Sequence, residues 1–397
     1  MFAQFFLQKK PAKYFFIFSC LAALLLSFSA CSAANLLGSQ CTPSTCDYFV
    51  NDMAVVSNGQ NGDILLADAE NAIYQYSGSQ WNKIGDEKAT VRGPLFVSPN
   101  FLNDNTMFLG NSVSTDGGKT WSLLCVSVIG ISPNFGTDHL IFGKDAQIPG
   151  SGTPTATATA NATAAPASAY SCPQTAGSFY TSTNNGQTWN TVSGPANTGD
   201  PNIFTISPTY GQDHTIFAQF TDSSFATNLF KTTDGGQTWS QVLTGKQNLV
   251  AIAPNFAAEQ TLIAVNNTNA QISTDGGQTW NTLSTPVTSL DINEVAFAPN
   301  FFKSNEIAFI TFAADSSSTT SQGFYTSTDG GKTWNQQSTV TQEGVNNPAF
   351  IFSPNFAQNN KLYLSSNGQG QGPAVSSDGG QTFTTFNSGL DLLQAPA

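Results

Sequence analysis

The sequence is poor in charged residues, and basic residues are the scarcest. Asp, Glu, Lys and Arg make up 10% of the 397 residues, against about 25% in an ordinary globular protein. Lys and Arg together number 13 against 25 acids, the formal net charge is −12, and Arg92 is the single arginine. A surface that binds phosphate or anionic lipid headgroups needs clustered Lys and Arg. The composition therefore excludes nucleic acid as a partner and electrostatic docking on an anionic membrane.

The sequence also lacks a hydrophobic run long enough for a comfortable transmembrane helix. Its longest apolar stretch, Tyr14 to Leu26, follows Lys9, Lys10 and Lys13. A basic segment followed by a short apolar one is typical of an export signal. Removal of residues 1–30 would take away three lysines and no acid, so the net charge of the remainder would be −15.

The end of this segment resembles a bacterial lipoprotein signal. Small residues, Ser29 and Ala30, stand directly before Cys31, which in that kind of signal becomes the lipid-modified first residue. We therefore expect lipidation at Cys31 and a protein anchored on the outer side of the cytoplasmic membrane. The alternative is an ordinary secretory signal, cut near Ala30 or Ala34, and a secreted protein.

Four cysteines remain after the signal and Cys31 are set aside. An even number of cysteines in an exported protein is compatible with disulfides, and four allow three pairings. We favour Cys41–Cys46 and Cys125–Cys172, and free buried thiols are the alternative.

One octapeptide recurs along the chain. It reads STDGGKTW or a close variant, and it begins at Ser114, Ser182, Thr232, Ser273, Ser327 and Ser376. A degenerate copy ends at Trp81. All six tryptophans occupy the last position of a copy, and Phe383 takes the seventh. Repeats at such spacing indicate an architecture of similar supersecondary units.

A second motif alternates with the first. It reads VSPNF in its first copy, and the six copies begin at Val97, Ile131, Ile206, Ile252, Phe297 and Phe352. A short apolar strand follows each copy. The chain therefore predicts units of strand, SPNF turn, strand, loop, strand, DGG turn and strand, with no sustained helical periodicity.

The octapeptide resembles the Asp-box, or BNR, repeat of β-propellers. That repeat occurs in sialidases, xyloglucanase-type glycosidases, the sortilin luminal domain and photosystem II assembly factors. The resemblance covers about residues 50–390 and implies an all-β fold, a seven-bladed β-propeller of four-stranded antiparallel blades with Asp-box hairpins. Because such folds host many functions, the resemblance implies little about activity.

The residues of the box are expected to have structural roles. Its Asp should accept hydrogen bonds from backbone amides two residues on, its glycines should supply positive φ angles, and its Trp should pack in an apolar layer. Each loop offers one carboxylate at most, too few for calcium, so we expect neither a metal site nor a cofactor. The predicted structural residues are Asp116, Asn184, Asp234, Asp275, Asp329, Asp378, Trp121, Trp189, Trp239, Trp280, Trp334 and Phe383.

The expected domain organisation follows from these segments. Residues 1–30 form the signal, 31–49 a polar tether, 50–390 the propeller and 391–397 a C-terminal tail. Residues 150–168, within the third blade, form a low-complexity Thr/Ala/Pro insert that cannot build a core.

The resemblance also implies two different faces. DGG hairpins and SPNF turns lie on one face, here called the turn face, and the remaining loops lie on the opposite, loop face. His139 and His214 stand in two SPNF turns, so we expect them on different blades of the turn face, without metal ligation or catalysis. Loops on rigid scaffolds usually carry recognition, and the predicted partner contacts are Asp86, Arg92, Asp291 and Asp315.

These observations favour a non-catalytic, exported cell-surface module that binds a protein or a glycan. We expect a monomer, and the negative charge favours a basic partner or a neutral glycan. One arginine cannot form the arginine triad with which sialidases hold a carboxylate substrate, so a true sialidase is disfavoured. A glycoside hydrolase with paired carboxylates is one alternative, and a structural or adhesive surface protein is another.

Overall fold

The computed structural model describes ten segments of the chain, from Val50 to Leu390. They are residues 50–58, 62–69, 71–91, 93–145, 178–267, 269–285, 292–311, 323–338, 350–365 and 372–390. The predicted signal, tether and tail, and the Thr/Ala/Pro insert, lie outside these residues.

The described residues form seven four-stranded antiparallel sheets, the blades. Blade 1 contains β1 (Val50–Ser57), β2 (Asp63–Ala69), β3 (Ala72–Tyr76) and β4 (Trp81–Asp86). Blade 2 contains β5 (Leu95–Val97), β6 (Met107–Leu109), β7 (Ser112–Ser114) and β8 (Ser122–Leu123). Blade 3 contains β9 (Val126–Ile131), β10 (Ile141–Asp145), β11 (Phe179–Ser182) and β12 (Asn190–Val192).

The remaining four blades follow the same plan. Blade 4 contains β13 (Ile203–Ile206), β14 (Ile216–Thr221), β15 (Thr227–Thr232) and β16 (Ser240–Thr244). Blade 5 contains β17 (Leu249–Ile252), β18 (Leu262–Val265), β19 (Ala270–Ser273) and β20 (Asn281–Leu283). Blade 6 contains β21 (Ile292–Phe297), β22 (Ile307–Thr311), β23 (Gly323–Ser327) and β24 (Asn335–Ser338). Blade 7 contains β25 (Phe350–Phe352), β26 (Leu362–Leu364), β27 (Ala374–Ser376) and β28 (Thr384–Thr385).

Within each blade the strands pair in chain order. First strands contact one another between blades 1 and 2, 3 and 4, 4 and 5, and 5 and 6, and a hydrophobic cluster joins every neighbouring pair of blades. The first strands therefore surround the axis of a closed ring. The predicted seven-bladed β-propeller is confirmed. In this up-and-down order, the described first and third connections of the blades lie on the turn face. The described second connections and links between blades lie on the loop face.

The SPNF motif was predicted to form a simple turn, but each copy contains one turn of helix. The six helices are α1 (Phe101–Asp104), α2 (Phe135–Asp138), α3 (Tyr210–Asp213), α4 (Phe256–Glu259), α5 (Phe301–Ser304) and α6 (Phe356–Asn359). Each ends at a residue in the left-handed region, such as Asn105 at φ 50°. The amide of Asn105 donates to the carbonyl of Phe101, which closes α1.

Each of the seven seams between blades holds its own hydrophobic cluster. The aromatic residue that ends each box lies in the seam with the preceding blade, from Trp81 at the seam of blades 7 and 1 to Phe383 at the seam of blades 6 and 7. The first aromatic residue of each SPNF helix packs in the same seams, for example Phe256 against Phe217 with centroids 5.6 Å apart. The predicted apolar layer is therefore the set of seven seams.

The ring closes without a strand shared between its ends, because β1–β4 and β25–β28 are each continuous in sequence. Side chains seal this closing seam. Trp81 is 1% exposed and stacks on Phe386, with centroids 5.6 Å apart. Its Nε1 donates to the carbonyl of Phe386 at 2.7 Å. Trp280 Nε1 makes the equivalent bond to the carbonyl of Val242 at 2.9 Å. Blade 1 therefore packs on blade 7 in the way that blade 5 packs on blade 4.

Candidate functional site

On the turn face, the oxygens of each box carboxylate accept hydrogen bonds from residues of the same hairpin. Asp116 Oδ1 accepts hydrogen bonds from Ser114 Oγ at 2.8 Å and from the amides of Lys119 and Thr120 at 3.0 and 2.9 Å. Thr120 Oγ1 donates to Asp116 Oδ2 at 2.6 Å. The expectation of a donor two residues on was wrong: the amide donors lie three and four residues on. The hydroxyl contacts recur at Asp234, Asp275, Asp329 and Asp378.

The pKa values agree with a structural role for these carboxylates. The hydroxyl and amide of Thr279, followed by the hydroxyl of Ser273, lower the pKa of Asp275 to about 2. Asn184, which replaces Asp in the variant box, keeps the geometry. Its Oδ1 accepts from the amide of Thr188 at 3.0 Å, and its Nδ2 donates to Thr188 Oγ1 at 2.8 Å. The Thr188 hydroxyl thus acts as acceptor where the other boxes use it as donor.

The two repeated motifs meet on the turn face. In five blades, the first glycine of the box donates its amide to the carbonyl of the residue that ends the SPNF helix. The pairs are Gly117–Asn105, Gly235–His214, Gly276–Gln260, Gly330–Asn305 and Gly379–Asn360. These bonds explain why the two motifs alternate in the sequence, since each satisfies backbone groups of the other.

Both histidines have such helix-ending positions. His139 and His214 take φ values of 50° and 48°, and their rings pack edge-on against Phe135 and Tyr210 of their own helices. They lie in different blades, as predicted. Among the described residues, no three His, Cys, Asp or Glu side chains come together in a group that could hold a metal ion.

Of the four predicted partner contacts, the structure describes Asp86. It lies at the loop-face end of β4, it is exposed, and it forms an ion pair with Lys83 at 2.7 Å. Arg92, Asp291 and Asp315 lie outside the described residues. Whether the four share one surface stays a prediction.

The predicted lipidation site and most of the cysteines also lie outside the described residues: Cys31, Cys41, Cys46 and Cys172. Cys125, between β8 and β9, is disulfide-bonded. Its pairing with Cys172 stays a prediction. Within the described segments, no helix has the length and apolar character needed to cross a membrane.

A pair of acids near the axis was missed by the sequence analysis. Asp52 lies in β1 and Glu294 in β21, both strands that line the axis, and both side chains are partly exposed. Burial, with the negative charge of Asp52 adding to it, raises the pKa of Glu294 to about 7. Burial also raises the pKa of Asp52, and the charge of Asp68 adds to the effect.

The local sequence explains where these acids stand. Both of these strands carry a β-bulge near their start, between Val50 and Asp52 in β1 and between Ile292 and Glu294 in β21. A bulge re-aims the side chain that follows it. Both oxygens of Asp52 then accept backbone hydrogen bonds, from the amide of Met53 at 2.8 Å and from that of Leu95 at 2.7 Å. Asp52 therefore ties blade 1 to blade 2.

An open cleft lies on the loop face between blades 4 and 5. This 4–5 cleft has a volume of about 460 Å³, and it is lined by Asn202, Ile203, Gln219, Thr221, Thr227, Lys246, Gln247 and Asn248. Gln219 and Gln247 are 1% and 2% exposed. The backbone amide of Gln247 donates to Gln219 Oε1 at 2.6 Å. The side-chain oxygen of Gln247, Oε1, accepts no hydrogen bond from any described residue.

The hairpin between β14 and β15 stands beside this cleft and presents Phe225. The side chain of Phe225 is 88% exposed, and its backbone has φ 65°. A bulky residue in the left-handed region costs about 1 kcal/mol. Asp222 Oδ1 holds the hairpin by accepting from the amides of Ser224 and Ala226 at 2.8 and 3.0 Å. The aromatic ring is thus displayed by a fixed hairpin.

Comparison with protein families finds two matches, each over part of the chain. The model of the BNR/Asp-box repeat matches residues 112–123 and 325–336. The model described as sortilin, neurotensin receptor 3, matches residues 177–322. Comparison with curated proteins gives no match.

Several solved structures resemble the chain at low sequence identity. An ancestral GH74 enzyme has a TM-score of 0.58 and 15% identity over 86% of this chain, and this chain covers 46% of that one. YCF48 bound to D1 peptide has a TM-score of 0.42 and 14% identity, over 86% of this chain and 82% of that one. A nidogen/laminin complex has a TM-score of 0.35 and 11% identity, over 48% and 65%.

The first of these similarities supports the fold and nothing further, and the chain spans about half the length of that enzyme. The fold assignment rests on the molecule itself: Asp-box hairpins in successive blades and seven sheets closed in one ring. The chain is a seven-bladed β-propeller built from BNR/Asp-box repeats.

Proposed function

We propose that the protein is a non-catalytic recognition module that binds a protein or a glycan through its loop face. In this proposal the chain is exported and held on the outer side of the cytoplasmic membrane by a lipid on Cys31. The observation that carries the proposal is the contrast between the two faces. On the turn face, the box carboxylates accept hydrogen bonds within their own hairpins, and the carbonyls that end five of the SPNF helices accept from box glycine amides. On the loop face, the 4–5 cleft and Phe225 leave polar and aromatic groups open to a ligand.

Two further observations support binding without catalysis. A catalytic carboxylate must reach substrate, and both oxygens of Asp52 are already engaged by backbone amides. Arg92 is the one arginine of the chain, so the bidentate clamp that a sialidase applies to its substrate cannot be built.

Loop-face recognition can be tested by retention of a partner on the full-length protein. The protein is immobilised through its C-terminus and presented with a neutral-glycan array and with detergent-solubilised membrane proteins. The variant Asp86→Ala/Phe225→Gly/Asp291→Ala/Asp315→Ala, which changes the cleft hairpin together with the predicted partner contacts, is compared with Leu102→Ala, a control on the exposed side of α1. We expect the loop-face variant to lose the ligand and the control to retain it. The reverse ranking would place the site on the turn face and contradict the proposal.

A glycoside hydrolase is the second candidate function, and Glu294 is the observation that favours it. A carboxyl group with a pKa of about 7 is suited to act as a general acid. The test is the release of reducing ends from a panel of neutral polysaccharides by the wild type and by Glu294→Gln. Release by the wild type that the substitution abolishes would establish the hydrolase and overturn the non-catalytic proposal.

A further inference from the structure

We propose that the 4–5 cleft is the binding site of a neutral oligosaccharide. In this site Phe225 stacks on the apolar face of one sugar ring, and the amides of Asn202, Gln247 and Asn248 bond to sugar hydroxyls. The inference deepens the proposed function and rests on it, since it assigns a ligand class and a position on the loop face.

Phe225 combines an exposed ring with a strained backbone conformation. Its ring is the most exposed large apolar side chain among the described residues, at 88%, and it gains no burial in exchange for its left-handed backbone. Glycine takes this conformation at no steric cost. A phenylalanine at this position, with its ring in solvent, makes no contact within the described fold that offsets the backbone strain. A ligand that stacks on the ring supplies such a contact.

The hairpin makes the ring ready for binding. Asp222 Oδ1 accepts from the amides of Ser224 and Ala226 and from Ser224 Oγ, the last at 2.6 Å. A backbone bridge pairs Asp222 with Thr198 of the preceding link. Because the turn is fixed before a ligand arrives, binding costs little conformational entropy.

The lining of the cleft matches hydroxyl groups. A side-chain amide offers donors and an acceptor, and a sugar hydroxyl both donates and accepts. Asn202 and Asn248 are exposed at the cleft. Asn202 Nδ2 donates to Thr221 Oγ1 at 3.0 Å and Asn248 Nδ2 donates to Asn267 Oδ1, which leaves the side-chain oxygens to accept from sugar hydroxyls. Gln247 Oε1 is buried without a donor. A buried unpaired acceptor is costly, so rotation of the Gln247 side chain that brings Oε1 to the surface of the cleft, where a ligand hydroxyl donates to it, would remove that cost.

The charge of the cleft selects a neutral ligand over an anion or a basic peptide. Lys246 is the one charged residue among the eight that line it. The nearby carboxylate of Asp222 is engaged by its own hairpin, where the Ser224 hydroxyl and the Ala226 amide lower its pKa. The lining has one apolar side chain, Ile203, which is too little for the anchor pocket of a peptide.

The test uses the full-length protein and an array of neutral glycans, followed by calorimetric titration of the best-binding oligosaccharide. We expect Phe225→Gly to weaken binding at least about tenfold without lowering Tm, because glycine removes the ring and the backbone strain together. Asn202→Ala and Asn248→Ala should each weaken binding about three- to tenfold. Lys246→Gln removes the one charge of the lining and so separates an anionic ligand, which needs this charge, from a neutral one. Lys332→Gln and Leu123→Ala, exposed positions outside the cleft, are the controls for charge and for exposed apolar area and should leave the affinity unchanged.

Three outcomes would overturn the inference. The first is a glycan array without a binder. The second is an affinity that Phe225→Gly leaves unchanged, and the third is a loss of affinity in Lys246→Gln that indicates an anionic ligand. A protein partner whose retention depends on Asp86 while the glycan array is silent would overturn this inference and leave the proposed function standing. Loss of all partners only in turn-face variants would instead refute the proposed function.

Discussion

Ionisation of Glu294 should make the protein less stable at neutral pH than at mildly acidic pH. The folded-state pKa is raised from 4.5 to about 7, so the folded protein keeps a proton that the unfolded chain has already released. Below pH 4.5 both states carry the proton, and the group has no effect on stability. Between pH 4.5 and 7 the unfolded chain binds fewer protons, so stability falls as pH rises, and above pH 7 the loss is complete.

The size of the effect follows from the shift. One pKa unit corresponds to about 1.4 kcal/mol, so the shift amounts to about 2–3 kcal/mol after an allowance for the partial exposure of Glu294. That is a large share of the roughly 5–15 kcal/mol by which a domain is stable. Asp52, whose pKa is also raised, adds in the same direction. The box carboxylates have the opposite effect on stability. The pKa of Asp275 is lowered from 3.8 to about 2, so its ionised form stabilises the folded protein above pH 3.8, and this stabilisation is lost as the pH falls from 3.8 towards 2.

Urea unfolding at pH 4.5, 6 and 8, followed by tryptophan fluorescence, measures this profile. We expect the free energy of unfolding of the wild type to fall by about 2–3 kcal/mol from pH 4.5 to 8, and that of Glu294→Gln to vary much less. The substitution replaces the ionisable group with a neutral one of the same shape. Parallel profiles for the two proteins would refute the assignment of a raised pKa to Glu294.

Three further predictions concern the scaffold and the anchor. Ser273→Ala removes the acceptor of the buried Gly277 amide, a bond of 2.8 Å, and urea unfolding should show a loss of about 1–3 kcal/mol; an unchanged midpoint would contradict this. Trp81→Phe removes the indole hydrogen bond to Phe386 across the closing seam, so the free energy of urea unfolding should fall by about 1–2 kcal/mol, and by about 3–5 kcal/mol in Trp81→Ala; equal losses in the two variants would contradict this. Cys31→Ala should move the protein from the membrane fraction to a soluble or unprocessed form, and a wild type found free in the medium would support the ordinary secretory signal instead.

The repeated part of the molecule was predictable because its information is local. The alternating SPNF and DGG motifs predict two turns and four strands per unit. The box has seven copies, each ending in an aromatic residue, and this number equals the number of blades. The hydrogen bonds between the motifs were not predictable from either one. The bond from the Gly276 amide to the carbonyl of Gln260 joins residues that meet only after the blade has formed.

The candidate site was less predictable, because its residues stand outside the repeats. Asp52 and Glu294 lie inside strands, and their nearness depends on ring closure. Their one signal is a shared pattern, an apolar residue, an Asn and an acid at the start of a first strand, in Val50–Asp52 and Ile292–Glu294. Nothing in the sequence around Phe225 predicted its exposure or its positive φ, because both arise from the hairpin geometry that the hydrogen bonds of Asp222 impose.

Photo-crosslinking on native membranes tests most directly whether recognition takes place on the loop face. A benzophenone side chain is placed either at Phe225, on the loop face, or at Leu102, which is 49% exposed on the turn face. Benzophenone inserts into C–H bonds of sugars and proteins alike, so the ligand need not be known beforehand. We predict an adduct from position 225 and none from position 102. An adduct from position 102 alone, or equal adducts from both positions, would contradict the account.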